Sequence, residues 1–156
     1  MRSMHKPIGG VESVALYPAD AVDVALFSSC GCEVSFFDTP IEVELLDDSS
    51  VYEEKTESRC GVIKVTHRLT LVADRDEAEG WLSNEFLERA SLEGVVATVK
   101  LCDGRRLLVG YSANFRDEQP LRLESVVCSS GSSLHDRPTT TLLLVSQDTE
   151  FSQEIL

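Results

Sequence analysis

The sequence has few of the residues on which nucleic-acid-binding and carbohydrate-binding proteins depend. Only 14 Lys and Arg oppose 27 Asp and Glu over 156 residues, so the formal net charge is -13 at pH 7. Because affinity for phosphate rests on clustered basic side chains, this deficit argues against a duplex DNA or RNA partner. Aromatic residues make up 6% of the chain, with a single Trp, which weighs weakly against a platform for sugars.

Long hydrophobic runs are also missing. No apolar stretch approaches the roughly 18 to 20 residues of a membrane-spanning helix, and the polar start at residues 1–7 is not followed by the apolar core of a signal peptide. We therefore expect a cytoplasmic protein with no membrane partner. A composition of 42% hydrophobic and 26% charged residues is typical of a globular chain, and the length favours one domain over residues 1–156.

Catalytic signatures are absent too. The chain contains no G-x-x-x-x-G-K-[ST], no G-x-G-x-x-G after a strand, no H-E-x-x-H and no G-x-S-x-G. The sequence therefore predicts no catalytic residue, no cofactor and no small-molecule substrate. An enzyme whose site lies in a deep pocket around His67, Cys60 or Glu85 stays open as an alternative.

Five cysteines, an odd number without a secretory signal, indicate reduced thiols rather than a disulfide framework. Cys30 and Cys32 are the only close pair, and their C-x-C spacing lacks the two-residue loop that lets two thiolates face one metal. A zinc site built from Cys30, Cys32, Cys60 and a histidine is the alternative. We favour free thiols that pack as small hydrophobes, and we predict no metal.

Alternating apolar and polar residues dominate the chain and predict short strands. The strongest pattern covers residues 62–73, where Ile63, Val65, His67, Leu69 and Leu71 share a face. Residues 51–59 are very polar and predict an exposed edge strand or a mobile arm. Asp103-Gly104, between two apolar runs, predicts a hairpin. The polar tail 147–156 either docks on a partner or is loose.

One helix is predicted near residues 76–90. Asp76 is expected to cap it, with Glu79 three residues later, and Gly94 is expected to end it. Apolar residues at three- and four-residue spacing place Trp81, Leu82 and Phe86 on one stripe, which predicts packing on a sheet. A fully buried Trp81 would make Trp81→Ala cost about 3–5 kcal/mol; a ligand-stacking Trp81 is the alternative.

Many short strands with one inserted helix predict a mainly β (α+β) fold, an antiparallel β-sandwich or barrel with one flanking α-helix. Acidic residues concentrate in segment 42–57, which holds seven acids and one Lys. Asp47-Asp48-Ser49-Ser50 lacks the spacing and the Gly of a calcium-binding loop. A solvated acidic face is therefore the preferred interpretation, and a paired-carboxylate site is the alternative.

This layout resembles the tail proteins of long-tailed phages and prophages, especially tail-tube-like proteins. The resemblance rests on the order of strands, helix and hairpin, on the closing strand at 139–146, and on the phrases at 81–87 and 118–123. It implies a sandwich whose sheets continue between subunits into a ring, with rings stacking into a tube in a virion or prophage particle. Segments Val51–Arg59 and 129–138 match the arms and loops that mediate stacking.

The expected function is therefore structural: self-assembly into rings or a tube, with copies of itself and other tail proteins as partners. An acidic lumen would repel the phosphates of passing DNA. The alternative is a small, non-catalytic β-sandwich that binds carbohydrate or peptide, which would be a monomer with exposed aromatic side chains on a concave face.

Overall fold

The computed structural model describes residues 10–46, 49–112, 117–132 and 134–156. The predicted fold class is confirmed: the described chain is mainly β and antiparallel, with thirteen strands and two helices. The elements in chain order are β1 (Val11–Pro18), β2 (Val22–Ser28), β3 (Gly31–Phe36), β4 (Ile41–Val43), β5 (Val51–Arg59), β6 (Val62–Asp74), α1 (Arg75–Glu79), α2 (Asn84–Leu92), β7 (Val95–Leu101), β8 (Arg106–Val109), β9 (Tyr111–Ser112), β10 (Asp117–Glu118), β11 (Arg122–Ser129), β12 (Thr139–Asp148) and β13 (Gln153–Glu154).

Two larger sheets carry the fold. The first has the strand order β13-β8-β7-β1-β4 and the second has the order β11-β12-β6-β5. Two further ribbons pair β2 with β3 and β9 with β10. The predicted hairpin at Asp103-Gly104 is confirmed, because it joins the paired strands β7 and β8.

The larger of two core clusters in the described residues lies between the inner faces of the two larger sheets. It combines Val14, Leu16 and Val99 of the first sheet with Leu69 and Leu142 of the second, each at most 3% exposed. Burial alternates along β6 and β12, as expected for strands with one face on the core. Backbone hydrogen bonds join the sheets at two places, from Leu46 to Val72 and between Val95 and Leu121.

The predicted single helix is divided into two. Asp74, not Asp76, caps α1, and its side chain accepts from the Asp76 N–H at 3.1 Å. The helical path breaks at Gly80, and Ser83 then caps α2 by accepting from the Phe86 N–H at 3.1 Å. An N-cap in the middle of the predicted range restarts the helix because it satisfies donors that otherwise lack a partner.

Gly94 ends the helical region, as predicted. Its φ of +83° is a left-handed conformation that favours glycine, and its N–H donates to the Arg89 carbonyl at 2.9 Å. A Cβ at this position would lie 2.6 Å from the Pro120 Cβ. The chain therefore needs glycine here both for its conformation and for its close approach to the segment before β11.

The two segments that the sequence predicts to be either ordered or mobile, residues 51–59 and the tail 147–156, are both part of the fold. Residues Val51–Arg59 form the edge strand β5 rather than a detached arm. The tail folds back on its own chain: β13 pairs with β8, and the Leu156 N–H donates to the Cys32 carbonyl at 2.8 Å. Asp47 and Asp48 of the acidic segment fall outside the described residues, as do residues 113–116 before β10. Among those described, no helix is long and apolar enough to cross a membrane.

Candidate functional site

The longest hairpin of the chain extends beyond the sheet that carries it. β5 and β6 pair from Val51↔Thr70 to Arg59↔Val62, but β12 accompanies β6 only as far as Val65↔Asp148. Residues 57–64 therefore form a two-stranded ribbon outside the sandwich, called the arm tip below. Cys60 and Gly61 turn the chain with φ values of 52° and 80°, the positive angles of a two-residue hairpin turn whose twist matches its strands.

The arm tip exposes apolar side chains. Val62 is 68% exposed and Ile63 is 51% exposed, although β6 is buried on one face from Val65 onward. The sequence pattern placed Ile63 on the same face as Val65, which is buried in the structure. Ile63 is exposed instead because β12 and the opposing sheet do not extend this far. Exposed apolar side chains at the end of a protruding ribbon can serve as a contact surface for another molecule.

β5 is the edge strand of the second sheet, and β11 is the opposite edge. The outward backbone groups of an edge strand can pair with another strand. The side chains of β5 are mostly charged and exposed, and they include the ion pair Lys55–Glu57, whose Nζ and Oε1 lie 3.2 Å apart. Charge of this kind limits unspecific pairing, so an incoming strand has to match this edge.

The second predicted contact segment, residues 129–138, lies at the other end of the sheet. Thr139 pairs with both Ser129 and Asp74, whereas the arm tip lies beyond the opposite end of β6. Asp136 organises this loop by accepting from the Ser132 N–H at 2.9 Å and from the Ser132 hydroxyl at 3.0 Å. Ser133 lies outside the described residues. The two predicted contact segments therefore face opposite ends of the molecule.

A groove of about 550 Å³ opens beside the helices. Trp81 and Phe86 meet edge to face in its wall, with ring centroids 5.4 Å apart and an interplanar angle of 87°. Both side chains pack on the core but stay partly exposed. Packing of this stripe on the sheet is therefore confirmed, but the full burial that would make Trp81→Ala cost about 3–5 kcal/mol is not observed. The remaining lining residues are Leu16, Pro18, Asp38, Thr39, Ile41, Ser83, Glu85 and Arg89.

Acidic side chains border this groove. Glu42, Glu44 and Glu77 line a smaller cavity that also contacts Trp81. A hydrogen bond with Glu44 raises the pKa of Glu77, and repulsion by Glu44 and Asp74 acts in the same direction. The acidic segment 42–57 is thus divided between two places. Glu42 and Glu44 lie at the groove, whereas Glu53, Glu54 and Glu57 lie on β5. The segment is not one continuous face.

His67 lies in a buried cluster, not in an open site. It is 3% exposed. Its Nε2–H donates to the Glu150 carbonyl at 2.9 Å, and its Nδ1 forms a hydrogen bond with the Ser152 hydroxyl, 3.0 Å away. The Tyr52 hydroxyl contacts His67 Nδ1 at 2.7 Å, donates to the Glu54 carboxylate at 2.7 Å and also touches Ser152. Burial raises the pKa of Tyr52 far above its usual value.

This cluster ties three distant segments together. Tyr52 and Glu54 belong to β5, His67 belongs to β6, and Ser152 comes from the tail. No buried side-chain nitrogen or oxygen among the described residues lacks a hydrogen-bond partner, and within this cluster the Ser152 N–H also donates to Glu54 at 3.2 Å. These hydrogen bonds hold the tail against β5 and β6, and the cluster of Tyr52, Glu54, His67 and Ser152 is called the latch below. Sequence reasoning noted His67 but had no means to pair it with residues 83 to 85 positions away.

The cysteines are dispersed. Cys30 lies exposed at the β2–β3 turn, Cys32 is fully buried, and Cys60 lies at the arm tip. Cys102 is half-buried and Cys128 is exposed on β11. Over the described residues, no three His, Cys, Asp or Glu side chains come together as a metal site. Burial raises the pKa of the Cys32 thiol, as expected for a cysteine that packs as a hydrophobe.

Comparisons of the chain with models of protein families, with curated proteins and with solved structures find no match in any of the three. The inference of function therefore rests on the geometry of the arm tip, the sheet edges and the groove.

Proposed function

We propose that this chain is a structural subunit that assembles with copies of itself into rings or a tube, as its resemblance to phage and prophage tail proteins implies. The observation that carries the proposal is the β5–β6 hairpin, which offers a nine-residue edge strand and an exposed apolar tip on the same element. Other tail proteins would be its further partners. Its site of action would be a particle assembled in the cytoplasm.

Edge pairing explains how a ring would form. β5 and β11 are opposite edges of one sheet, so β5 of one copy paired with β11 of the next continues that sheet from subunit to subunit. The contact joins two different surfaces, and such contacts close into a ring or extend into a filament. The exposed Val127 on β11, 56% accessible, gives that edge an apolar contact as well.

Two proline variants test the edge contact. Neighbouring residues of an edge strand direct their N–H groups alternately toward and away from the sheet, so one of Lys55→Pro and Thr56→Pro removes only an outward donor. The variant of the pair that keeps its thermal stability is the informative one. We expect it to lose the oligomers that the parent protein shows in analytical ultracentrifugation. Normal assembly of this variant would contradict edge pairing through β5.

A deletion of β5 is not suitable for this test. It would remove Tyr52 and Glu54 and with them the latch that holds the tail. Loss of assembly after such a deletion would report misfolding.

The groove beside Trp81 and Phe86 favours a second candidate, a binding module for carbohydrate or peptide. Partly exposed aromatic side chains in a concavity of about 550 Å³ fall within the size range of ligand pockets. This function predicts a monomer at all protein concentrations. It also predicts quenching of the single Trp when a glycan or peptide library member binds. Concentration-dependent sedimentation separates the two candidates.

A further inference from the structure

The arm tip and the Trp81–Phe86 groove have complementary shapes. The tip is convex and presents Val62 and Ile63, which are 68% and 51% exposed. The groove is concave, and its apolar lining includes Leu16, Ile41 and the aromatic pair. Each surface leaves apolar area in water that the other would cover, and removal of such area from water drives association.

Their charges are complementary as well. Arg59 and Lys64 flank the two apolar residues of the tip, and the Lys55–Glu57 ion pair offsets the nearest acid. Asp38 and Glu85 lie in the groove lining, and Glu42, Glu44 and Glu77 line the adjoining cavity. The one base in the groove, Arg89, is paired with Glu93 at 3.8 Å. A basic tip would thus meet an acidic groove, in a chain whose overall charge of -13 otherwise opposes association.

The two surfaces lie at opposite ends of the molecule. The thirteen residues of β6 separate the tip at Val62 from Asp74, a rise of about 40 Å for an extended strand. The helices that form one wall of the groove begin directly after Asp74, and Leu46, which follows the β4 side of the groove, is bonded to Val72 near the same end of β6. The tip therefore cannot fill the groove of its own chain.

We propose that the arm tip of one copy inserts Val62 and Ile63 into the Trp81–Phe86 groove of the next copy, so that subunits stack head to tail. This inference rests on the proposed self-assembly and specifies its axial contact, whereas edge pairing through β5 is the lateral contact. A head-to-tail contact uses different surfaces on the two partners, so the same contact can be repeated from copy to copy along an axis. It would convert rings into a tube.

Complementary variants test the insertion. Val62→Ser with Ile63→Ser disables the tip and leaves the groove intact, whereas Asp38→Arg with Glu85→Arg reverses the charge of the groove and leaves the tip intact. All four residues are exposed, so circular dichroism and thermal unfolding should match the parent protein. The tip variant loses the burial of two branched side chains and the groove variant opposes like charges, so each disabled surface should weaken stacking more than tenfold.

A mixing experiment then separates stacking from every other contact. Neither double variant alone should form stacks longer than one layer in the ultracentrifuge or in negative-stain micrographs. Mixed together, the intact groove of the first variant can accept the intact tip of the second, and the complex can extend no further. We expect a species with one added layer that neither variant forms alone. Long stacks of the tip variant alone would overturn the insertion.

The outcomes distinguish this inference from the function on which it rests. A parent protein that stays monomeric at every salt and protein concentration would overturn both. A parent that assembles, with double variants that assemble equally well, would overturn the insertion alone. Binding of a glycan or peptide in the groove that does not compete with assembly would also overturn it.

Cys60 provides a direct readout of the contact. In a Cys30→Ser and Cys128→Ser background, Cys60 at the tip should form an intermolecular disulfide with Thr39→Cys in the groove under mild oxidation. The matched control is Ser91→Cys, an exposed position on α2 outside the groove lining. Covalent ladders from Thr39→Cys but not from Ser91→Cys support the insertion. Equal ladders from both, or none from Thr39→Cys in a parent that stacks, contradict it.

Discussion

At the scale of single residues, the hydroxyl of Tyr52 contributes more to the fold than its half-exposed position on an edge strand indicates. It bonds to the Glu54 carboxylate and to His67 Nδ1, each at 2.7 Å, and it touches Ser152. Removal of one member leaves the others buried with fewer partners, and that loss costs more than the bond itself contributes.

We therefore expect Tyr52→Phe to lower the free energy of unfolding by about 1–3 kcal/mol, measured by urea denaturation. The matched control is Tyr17→Phe, whose aromatic ring stacks on Phe36 with centroids 3.6 Å apart and whose hydroxyl lies outside the cluster. Equal stability changes in the two variants would show that the latch contributes nothing specific.

Cys32 should differ from the other thiols in its reactivity. It is fully buried, and burial raises its pKa, so the reactive thiolate is both scarce and shielded. In native protein at pH 8, a chromogenic thiol reagent should modify Cys30, Cys60 and Cys128 rapidly. Cys32 should react only after unfolding. Rapid modification of Cys32, located by mass spectrometry, would show that the tail opens readily at Leu156.

The contribution of Glu77 to the stability of the fold should depend on pH. Its pKa is raised first by the hydrogen bond with Glu44, then by desolvation and by repulsion from Glu44 and Asp74. The folded state therefore binds this proton more tightly than the unfolded state does. Stability therefore falls as pH rises from the ordinary carboxyl value through the raised one. Arg137 opposes the shift only in part.

Glu77→Gln should accordingly stabilise the protein at pH 7, and the gain should vanish below about pH 4, where the carboxyl group is protonated in both states. Thermal unfolding across this pH range is the measurement. The control is Glu88→Gln, an exposed acid on α2. A Glu77→Gln gain that stays constant with pH would exclude carboxylate repulsion as its cause.

At the scale of elements, the division of the helical region shows why one helix was expected. Residues 75–92 carry a nearly continuous amphipathic pattern, and nothing in that pattern contradicts a single helix. Ser83 decides the outcome, because its side chain accepts from the Phe86 N–H at 3.1 Å and starts α2. This start also presents Phe86 to Trp81 in the groove.

Ser83→Ala should therefore cost about 0.5–2 kcal/mol of stability, measured by chemical denaturation. Ser91→Ala lies inside α2, where Ala has the better helix propensity, and it should be neutral or slightly stabilising. A neutral Ser83→Ala would indicate that packing of Phe86 alone fixes the start of α2.

Local patterns predict an element when one face of it is buried along its length. The alternation of β6 from Val65 onward was readable for this reason. The turn at Asp103-Gly104 and the helix stop at Gly94 were readable from the residue types themselves. Alternation alone does not tell the buried face of a strand from its exposed face: Val24 and Leu26 of β2 are 45% and 60% exposed, beyond a register irregularity between Val22 and Val24. Long-range partners are not encoded in any local pattern, so the latch with Ser152 and the pairing of β13 were missed.

The features of the candidate site were likewise predicted only in part. The polarity of residues 51–59 was enough to predict an edge and hence a contact segment. The apolar arm tip was not predicted, because Ile63 fits the same alternation as the buried Val65. Only the point at which β12 ends distinguishes them.

At the scale of the whole molecule, net charge governs how copies of this chain approach one another in the proposed assembly. With -13 per chain, repulsion is long-ranged at low ionic strength, whereas an apolar contact such as the arm tip in its groove is short-ranged. Screening shortens electrostatic interactions from about 30 Å at 0.01 M salt to about 10 Å at 0.1 M. Assembly should therefore strengthen over this range. Sedimentation in a salt series measures it, and dissociation on added salt would show that ion pairs dominate the contacts.

The latch at Ser152 also has a consequence for the order of events during synthesis. His67 leaves the ribosome more than eighty residues before Glu150 and Ser152, the partners that its imidazole needs. β8 likewise cannot pair with β13 until β13 has been synthesised. Such distant pairings make folding slow, because long loops must close before their contacts form. The nascent chain should therefore stay protease-sensitive until residues 150–156 have left the ribosome, which pulse proteolysis of ribosome-bound chains of increasing length would measure.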